Sequence, residues 1–363
     1  MKTFLLIASL ILLAAPANAS KARLSALGQD TSGSSLIKDG RNIFLNPSYV
    51  GQTGNTFNFE MGNTNTNAYG SGTNPYSEGG MTYDMGPGKL GVQLGRRTSI
   101  NDAIADSTFL PPKNSLDVIY GTKGNKAMGF GLHYAAATDD ALLGAYPQQN
   151  SSELEGSAGM TMDKLEVYAH LALVADSETK TSATVKNTFK GKSYQKVGFG
   201  YDIDSGSKVY GTLTNYKFET NVAGTVTVIK SMDIEVNYAH LKKPKTDVMM
   251  FYGAGLVLAN GDYTVATTKT DLTETSIPVF LGLEVAATSW MDLRASAKQM
   301  VVLNSVEDTG DSTEHSPNTT TVGAGASLKF NNNLVVDTTL GASDAGEIDG
   351  NSLFANASMN YSF

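Results

Sequence analysis

Residues 354–363 read FANASMNYSF and close the chain. Taken from Leu353, they split into two sets. Leu353, Ala355, Ala357, Met359, Tyr361 and Phe363 are apolar, whereas Asn356, Ser358, Asn360 and Ser362 are polar. A period of two is the mark of a β-strand, whose successive side chains point to opposite faces. A tail without a role frays and carries no pattern. The last strand therefore has a different solvent on each face.

The same period recurs upstream. Met128, Phe130, Leu132 and Tyr134 alternate with Gly129, Gly131 and His133. Leu165, Val167, Ala169, Leu171 and Leu173 alternate with Glu166, Tyr168 and His170. Val322, Ala324, Ala326, Leu328 and Phe330 alternate with Gly323, Gly325, Ser327 and Lys329. Counting back from Phe363 gives sixteen strands, near 53–62, 76–85, 88–97, 113–121, 125–137, 151–162, 164–176, 193–203, 206–218, 229–241, 247–259, 275–287, 290–303, 318–330, 333–343 and 351–363, with fourteen as the alternative.

Connections alternate between short ones and longer ones at 62–75, 98–112, 138–150, 177–192, 219–228, 260–274, 304–317 and 344–350. Short turns at one end and long loops at the other are the plan of a transmembrane antiparallel up-and-down β-barrel. Its apolar set faces lipid and its polar set a wet lumen, since in a membrane every backbone group pairs internally. Tyr120, Tyr201, Trp290, Phe330, Tyr361 and Phe363 lie near short turns and form one expected aromatic girdle. Tyr134, Phe218 and Phe251 are assigned to an upper or mid-depth set.

The N-terminus fits this destination. Lys2, an apolar run from Phe4 to Pro16 and the small residues Ala17-Asn18-Ala19 have the order of a secretory signal peptide. Cleavage is expected after Ala19, which leaves 20–52 as a periplasmic or hatch-like segment and 53–363 as the barrel. The absence of cysteine excludes thiolate metal sites and cysteine nucleophiles. A net charge of −8, one more negative once Lys2 is lost, excludes nucleic acid as a partner. His133, His170, His240 and His315 have no metal-ligand spacing. No nucleophile-elbow motif or phosphate loop stands out, and no cofactor or enzymatic activity is expected.

Met359, Tyr361 and Phe363 resemble the C-terminal assembly signal of bacterial outer-membrane proteins. That resemblance implies the barrel-assembly machinery as a partner. Outer-membrane lipid and lipopolysaccharide are the expected surroundings, and a homotrimer is one option. Between Ser20 and Val50 the period of two is missing. Ala26, Leu27, Gly28, Asn46 and Pro47 resemble the internal hatch of the long-chain fatty-acid transporter family.

By alternation, Arg97, Lys196, Arg294, Lys298 and Lys329 face the lumen with Asp117, Glu155, Glu166, Asp202, Asp233, Glu235, Glu284, Asp292 and Asp337. Such charges fit a wet wall, because a lipid-facing charge at mid-depth costs about 2–4 kcal/mol. Sixteen strands enclose a channel. The chain thus reads as a bacterial outer-membrane porin passing small hydrophilic solutes and ions. The alternatives are a structural or adhesive barrel with a closed lumen, and a plugged transporter for apolar substrates. Five bases against nine acids imply a weak cation preference. Arg294, Lys298 and Lys329 form a basic stripe that could oppose it. In general porins the loop at the place of 138–150 folds inward. Here that loop carries Asp139 and Asp140 as a candidate constriction.

Overall fold

A computed structural model describes residues 20–62, 76–107, 109–140, 147–308, 313–314, 318–330, 333–344 and 353–363. The expected leader at 1–19, the loop at 63–75, residues 141–146 of the loop at 138–150, half of the loop at 304–317 with His315, and the loop at 345–350 lie outside them. The strands are β1 Thr56–Gly62, β2 Tyr76–Met85, β3 Gly88–Leu94, β4 Asn114–Thr122, β5 Lys126–Asp140, β6 Gln148–Met162, β7 Leu165–Lys180, β8 Lys186–Asp202 and β9 Ser207–Val222. There follow β10 Thr225–Lys245, β11 Val248–Val265, β12 Thr268–Thr288, β13 Met291–Asp308, β14 Thr313–Glu314, β15 Thr319–Lys329, β16 Leu334–Asp344 and β17 Leu353–Ser362. The two-residue β14 only extends the edge of β13, so sixteen strands build the wall.

Each wall strand pairs antiparallel with its neighbour in the chain. β1 pairs with both β2 and β17, which closes the ring. Phe57 lies opposite Tyr361, and Phe59 opposite Met359. The Phe363 amide donates to the Asn55 carbonyl at 3.1 Å, so the two ends of the barrel wall meet at the short-turn end. The Phe363 ring stacks near Tyr361 and Tyr83, each with centroids 6.4 Å away.

The wall separates its solvents residue by residue. Along β4, Leu116, Val118 and Tyr120 point out, whereas Ser115, Asp117 and Ile119 point in and are buried. Phe57, Phe59, Phe130, Leu132, Leu171, Leu281, Leu293 and Leu340 continue the outward apolar belt. A closed wall with such a belt satisfies a bilayer, because no backbone edge is left unpaired. Among the described residues no helix is long and apolar enough to cross a membrane.

Three of the expected long loops are largely strand. β7 and β8 run on to Lys180 and from Lys186. β9 and β10 meet in a tight turn at Ala223 and Gly224, both with positive φ, and β11 and β12 in another at Ala266. Above the apolar belt both faces are polar, so the inside–outside contrast that marks a strand in the sequence fades there. The 21-residue β10 is about 70 Å long at 3.3 Å per residue. Phe218 and Phe251 correct the aromatic assignment: both lie on the inward parity and are buried in the bore.

Two segments fill the bore. Residues 20–55 enter it as helix α1, Lys21–Ala26, followed by two 3-10 turns, Gly40–Phe44 and Pro47–Gln52. Ser20, Asp39 and Asn46 cap these three elements through their side chains. The second is helix α2, Ser99–Asp106, capped by Thr98. The chain leaves β3 at Gly95, whose φ of +79° few other residues tolerate. A Cβ there would stand 2.7 Å from the Ser77 carbonyl oxygen.

The wall is thinned where the first segment presses on it. A Cβ on Gly129 would meet the Pro47 carbonyl carbon at 2.2 Å, and one on Gly325 the Ala26 Cβ at 2.7 Å. The small inward residues of 323–327 leave room that α1 occupies. Gly129→Val should push the Pro47 turn off the wall without opening the barrel. Amide exchange over 46–52 then rises at least tenfold, while the heat-modifiable gel mobility of a closed barrel persists.

Candidate functional site

The hatch, residues 20–55, is held to the wall by buried charge. Arg41 is 2% exposed and pairs with Glu60 of β1 at 3.0 Å and with Glu78 of β2. Lys21 pairs with Glu78 at 3.1 Å, and its amide donates to Glu60 at 2.7 Å. Arg23 bridges Asp39 of the hatch at 2.9 Å and Glu284 of β12 at 3.0 Å. Arg294 of β13 shares Glu284 and pairs with Asp337 of β16 at 2.8 Å. The Arg41 and Arg96 guanidinium carbons lie 4.9 and 5.0 Å from the centre of the Phe44 ring. Burial pushes the Asp39 carboxyl up, with Arg23 opposing it, and pushes the Lys21 ammonium down, with Glu78 opposing it.

The middle of the hatch is fixed by hydrogen bonds. His170 of β7 contacts the Leu45 carbonyl oxygen through Nε2 at 2.8 Å and Glu155 through Nδ1 at 3.0 Å. The Tyr49 hydroxyl donates to Glu166, which also pairs with Lys208 at 3.0 Å. Ser48 and Thr161 hydroxyls lie 3.5 Å apart. The five residues resembling a hatch take structural parts here. The Ala26 carbonyl accepts from Ser296 at 2.9 Å, Leu27 is fully buried, Gly28 turns at a φ of +64°, Asn46 caps the second turn and Pro47 starts it.

Around the hatch the bore is divided. A cavity of about 550 Å³ opens at the short-turn end, bordered by Gly124, Asp163, Asp202 and Lys208. Another of about 420 Å³ lies deeper, bordered by Lys196, Tyr168, Tyr210, Glu235, Phe280 and Lys298. Ser35 of the hatch borders both. Beyond this level α2 lays Ile100 and Ile104 on Phe189, Tyr194 and Phe218 of the wall.

The structure puts each sequence-derived residue in a definite setting. Asp117, Glu155, Glu166, Asp292, Arg294 and Asp337 are inward and buried. Lys329 pairs with Asp292 at 2.6 Å, and Asp233 accepts from Ser231 at 2.6 Å. Glu284 serves the hatch, whereas Lys196, Glu235, Lys298 and Asp202 line the cavities. Arg97 is not on a strand, because β3 stops at Leu94; it pairs with Asp102 of α2 at 2.8 Å. Asp139 and Asp140 belong to β5, opposite Gln149 and Gln148, and so stand in the wall, whereas helix α2, Ser99–Asp106, enters the bore. Met359, Tyr361 and Phe363 point outward.

The count of five bases against nine acids misses the bases that answer those acids. Arg96 pairs with Asp117 at 2.7 Å, Arg23 with Glu284, and Lys208 with Glu166 and, at 3.7 Å, Asp202. The expected cation preference therefore loses its basis in the closed form. The basic stripe is also reduced, because Arg294 and Lys329 are neutralised and Lys298 remains. Glu60, Glu78, Arg41, Arg96 and the α2 cluster were missed by alternation alone. Among the described residues no group of His, Asp and Glu could hold a metal ion.

No protein-family model matches the chain. No curated protein matches it either. Solved structures do. The chain is similar to the monoaromatic hydrocarbon channel CymD, at 12% identity over 94% of this chain and 97% of that one, with a TM-score of 0.44. It is similar to a Pseudomonas aeruginosa FadL homologue at 11% identity, over 94% and 98% of the two chains, with a TM-score of 0.48. It is also similar to CdiB from Acinetobacter baumannii at 10% identity, over 86% of this chain and 60% of that one, with a TM-score of 0.49.

Arg41→Met should cost the seated hatch about 3–5 kcal/mol, the usual penalty for stranding buried partners of an ion pair. Adding Glu60→Gln and Glu78→Gln should recover part of the loss. Amide exchange over 40–44 measures both effects.

Proposed function

We propose that this protein is a transport barrel of the bacterial outer membrane whose bore is closed by residues 20–55 and opens when they move. One observation carries the reading: the hatch fills the bore and parts the 420 Å³ cavity from the 550 Å³ one. A general porin needs a standing aqueous channel, and this filled bore favours the plugged transporter over it. The outer leaflet end then receives the passenger, and the short turns face the periplasm.

The form of the transporter that takes apolar or part-apolar molecules gains from the lining of the deeper cavity, where Tyr168, Tyr210 and Phe280 stand together. There Lys196 and Lys298 have no ion-pair partner among the described residues. A passenger halted on the hatch would meet these two ammonium groups.

A reversible lock tests the reading. The chain has no cysteine, so Ser48→Cys with Thr161→Cys gives one unambiguous disulfide between hatch and wall. Oxidised protein should show no conductance in a planar bilayer, and reduction should restore brief openings. Deleting 20–52 should give steady conductance. Openings that persist in the locked barrel would sink the hatch mechanism. Silence of both the reduced and the deleted forms would point to a structural barrel.

A further inference from the structure

Among the described residues, the charges where the hatch meets the wall do not balance. Lys21 and Arg41 answer Glu60 and Glu78, two against two. The neighbouring group is one cation short: Arg23, Arg294 and Lys329 face Asp39, Glu284, Asp292 and Asp337. An uncompensated buried carboxylate is costly, so a missing cation is expected near one of these four. Arg294 lies among Glu284, Asp292 and Asp337, and Lys329 also serves Asp292. Asp39 accepts from the Arg41 amide at 2.9 Å, and among the described residues its one cationic partner is Arg23, which it shares with Glu284.

The backbone nitrogen of Ser20 lies 3.2 Å from Asp39 Oδ1. Ser20 is fully buried at the cap of α1. Its position directly follows the small-residue run Ala17-Asn18-Ala19. As an amide this nitrogen offers Asp39 one neutral hydrogen bond. As a free α-amine it would be protonated near neutral pH and would supply the absent charge.

We propose that the chain is cut between Ala19 and Ser20, and that the new α-ammonium of Ser20 pairs with Asp39 and completes the buried charge network that seats the hatch. The reaction is a hydrolysis by a leader-cleaving protease. Water adds across the Ala19–Ser20 peptide bond, its hydroxyl going to the Ala19 carbonyl carbon and its hydrogen to the Ser20 nitrogen. The acid proton of the released Ala19 carboxyl group then passes to the amine, leaving a carboxylate and an ammonium. Processing and closure are thereby linked, since the uncut chain carries an uncharged amide at this point. The proposal goes beyond hatch-gated transport and does not need it: a seated hatch could be latched this way in a barrel that transports nothing.

The test uses the full chain purified from membranes and reads no transport. Digestion before Asp30 should release a peptide beginning at Ser20, and its mass fixes the cut. Acetic anhydride at neutral pH should acetylate the Ser20 amine at least tenfold more slowly in the closed barrel than after heat unfolding. Asp39→Asn should bring the folded rate to within about threefold of the unfolded one. Heat-modifiable mobility checks that this variant still closes. A mature terminus at another residue, or equal labelling of folded and unfolded native protein, would overturn the proposal. So would full protection in Asp39→Asn, because the amine would then be buried without needing the pair.

Discussion

Arg41 between Glu60 and Glu78 is the interaction on which the closed state depends. A wall of sixteen strands encloses more space than its own side chains can fill. That space is wet, and the wall facing it is polar. A segment entering such a bore cannot be held by apolar packing alone. It must bring charges that match those of the wall, and the match then excludes water from both. Arg41 meets two strands at once and lies beside the seam where β1 joins β17. Arg23 follows the same logic and reaches Glu284 of β12.

Two kinds of closure coexist in the bore. The hatch joins its buried ion pairs to apolar contacts, with Leu24, Leu27, Leu36 and Ile37 on Phe251 and Phe280 and with Ile43 and Val50 on Ile119. The α2 insertion is apolar and sits on aromatic wall residues. Buried ion pairs lose much of their value when one partner goes, whereas apolar contact is graded with area. The ion pairs make the seating of the hatch specific, and α2 is held by apolar contact alone.

Much of this architecture is legible in the sequence, and the reason is the bilayer. The belt imposes a strict inside–outside contrast, so Leu132 and His133 declare their faces without any long-range information. The contrast ends where the belt ends, which is why the outer halves of β8, β9 and β11 read as loops. Helix α2 left a local trace that the strand count overrode: Thr98 as a cap, Asp102 in the first turn, and Ile100 and Ile104 one turn apart. The hatch pairings left none. Arg23 and Glu284 stand 261 positions apart, and no periodicity links them. Inward charges could be placed on a face, but which were already matched depended on partners far away in the chain, such as Arg23 for Glu284, or on a neighbouring strand, such as Lys208 for Glu166.

The hatch is joined to β1 by only Thr53 to Asn55, and Lys89 of β3 grips that joint through the Thr53 carbonyl at 2.7 Å and the Asn55 side chain at 3.0 Å. In the proposed cycle, a leash of three residues pinned to the wall would let the plug swing but not depart. Its charged groups stay at a high effective concentration around their partners even when displaced. Resealing is then a first-order event that does not depend on how much protein the membrane holds. Each barrel recloses on its own clock.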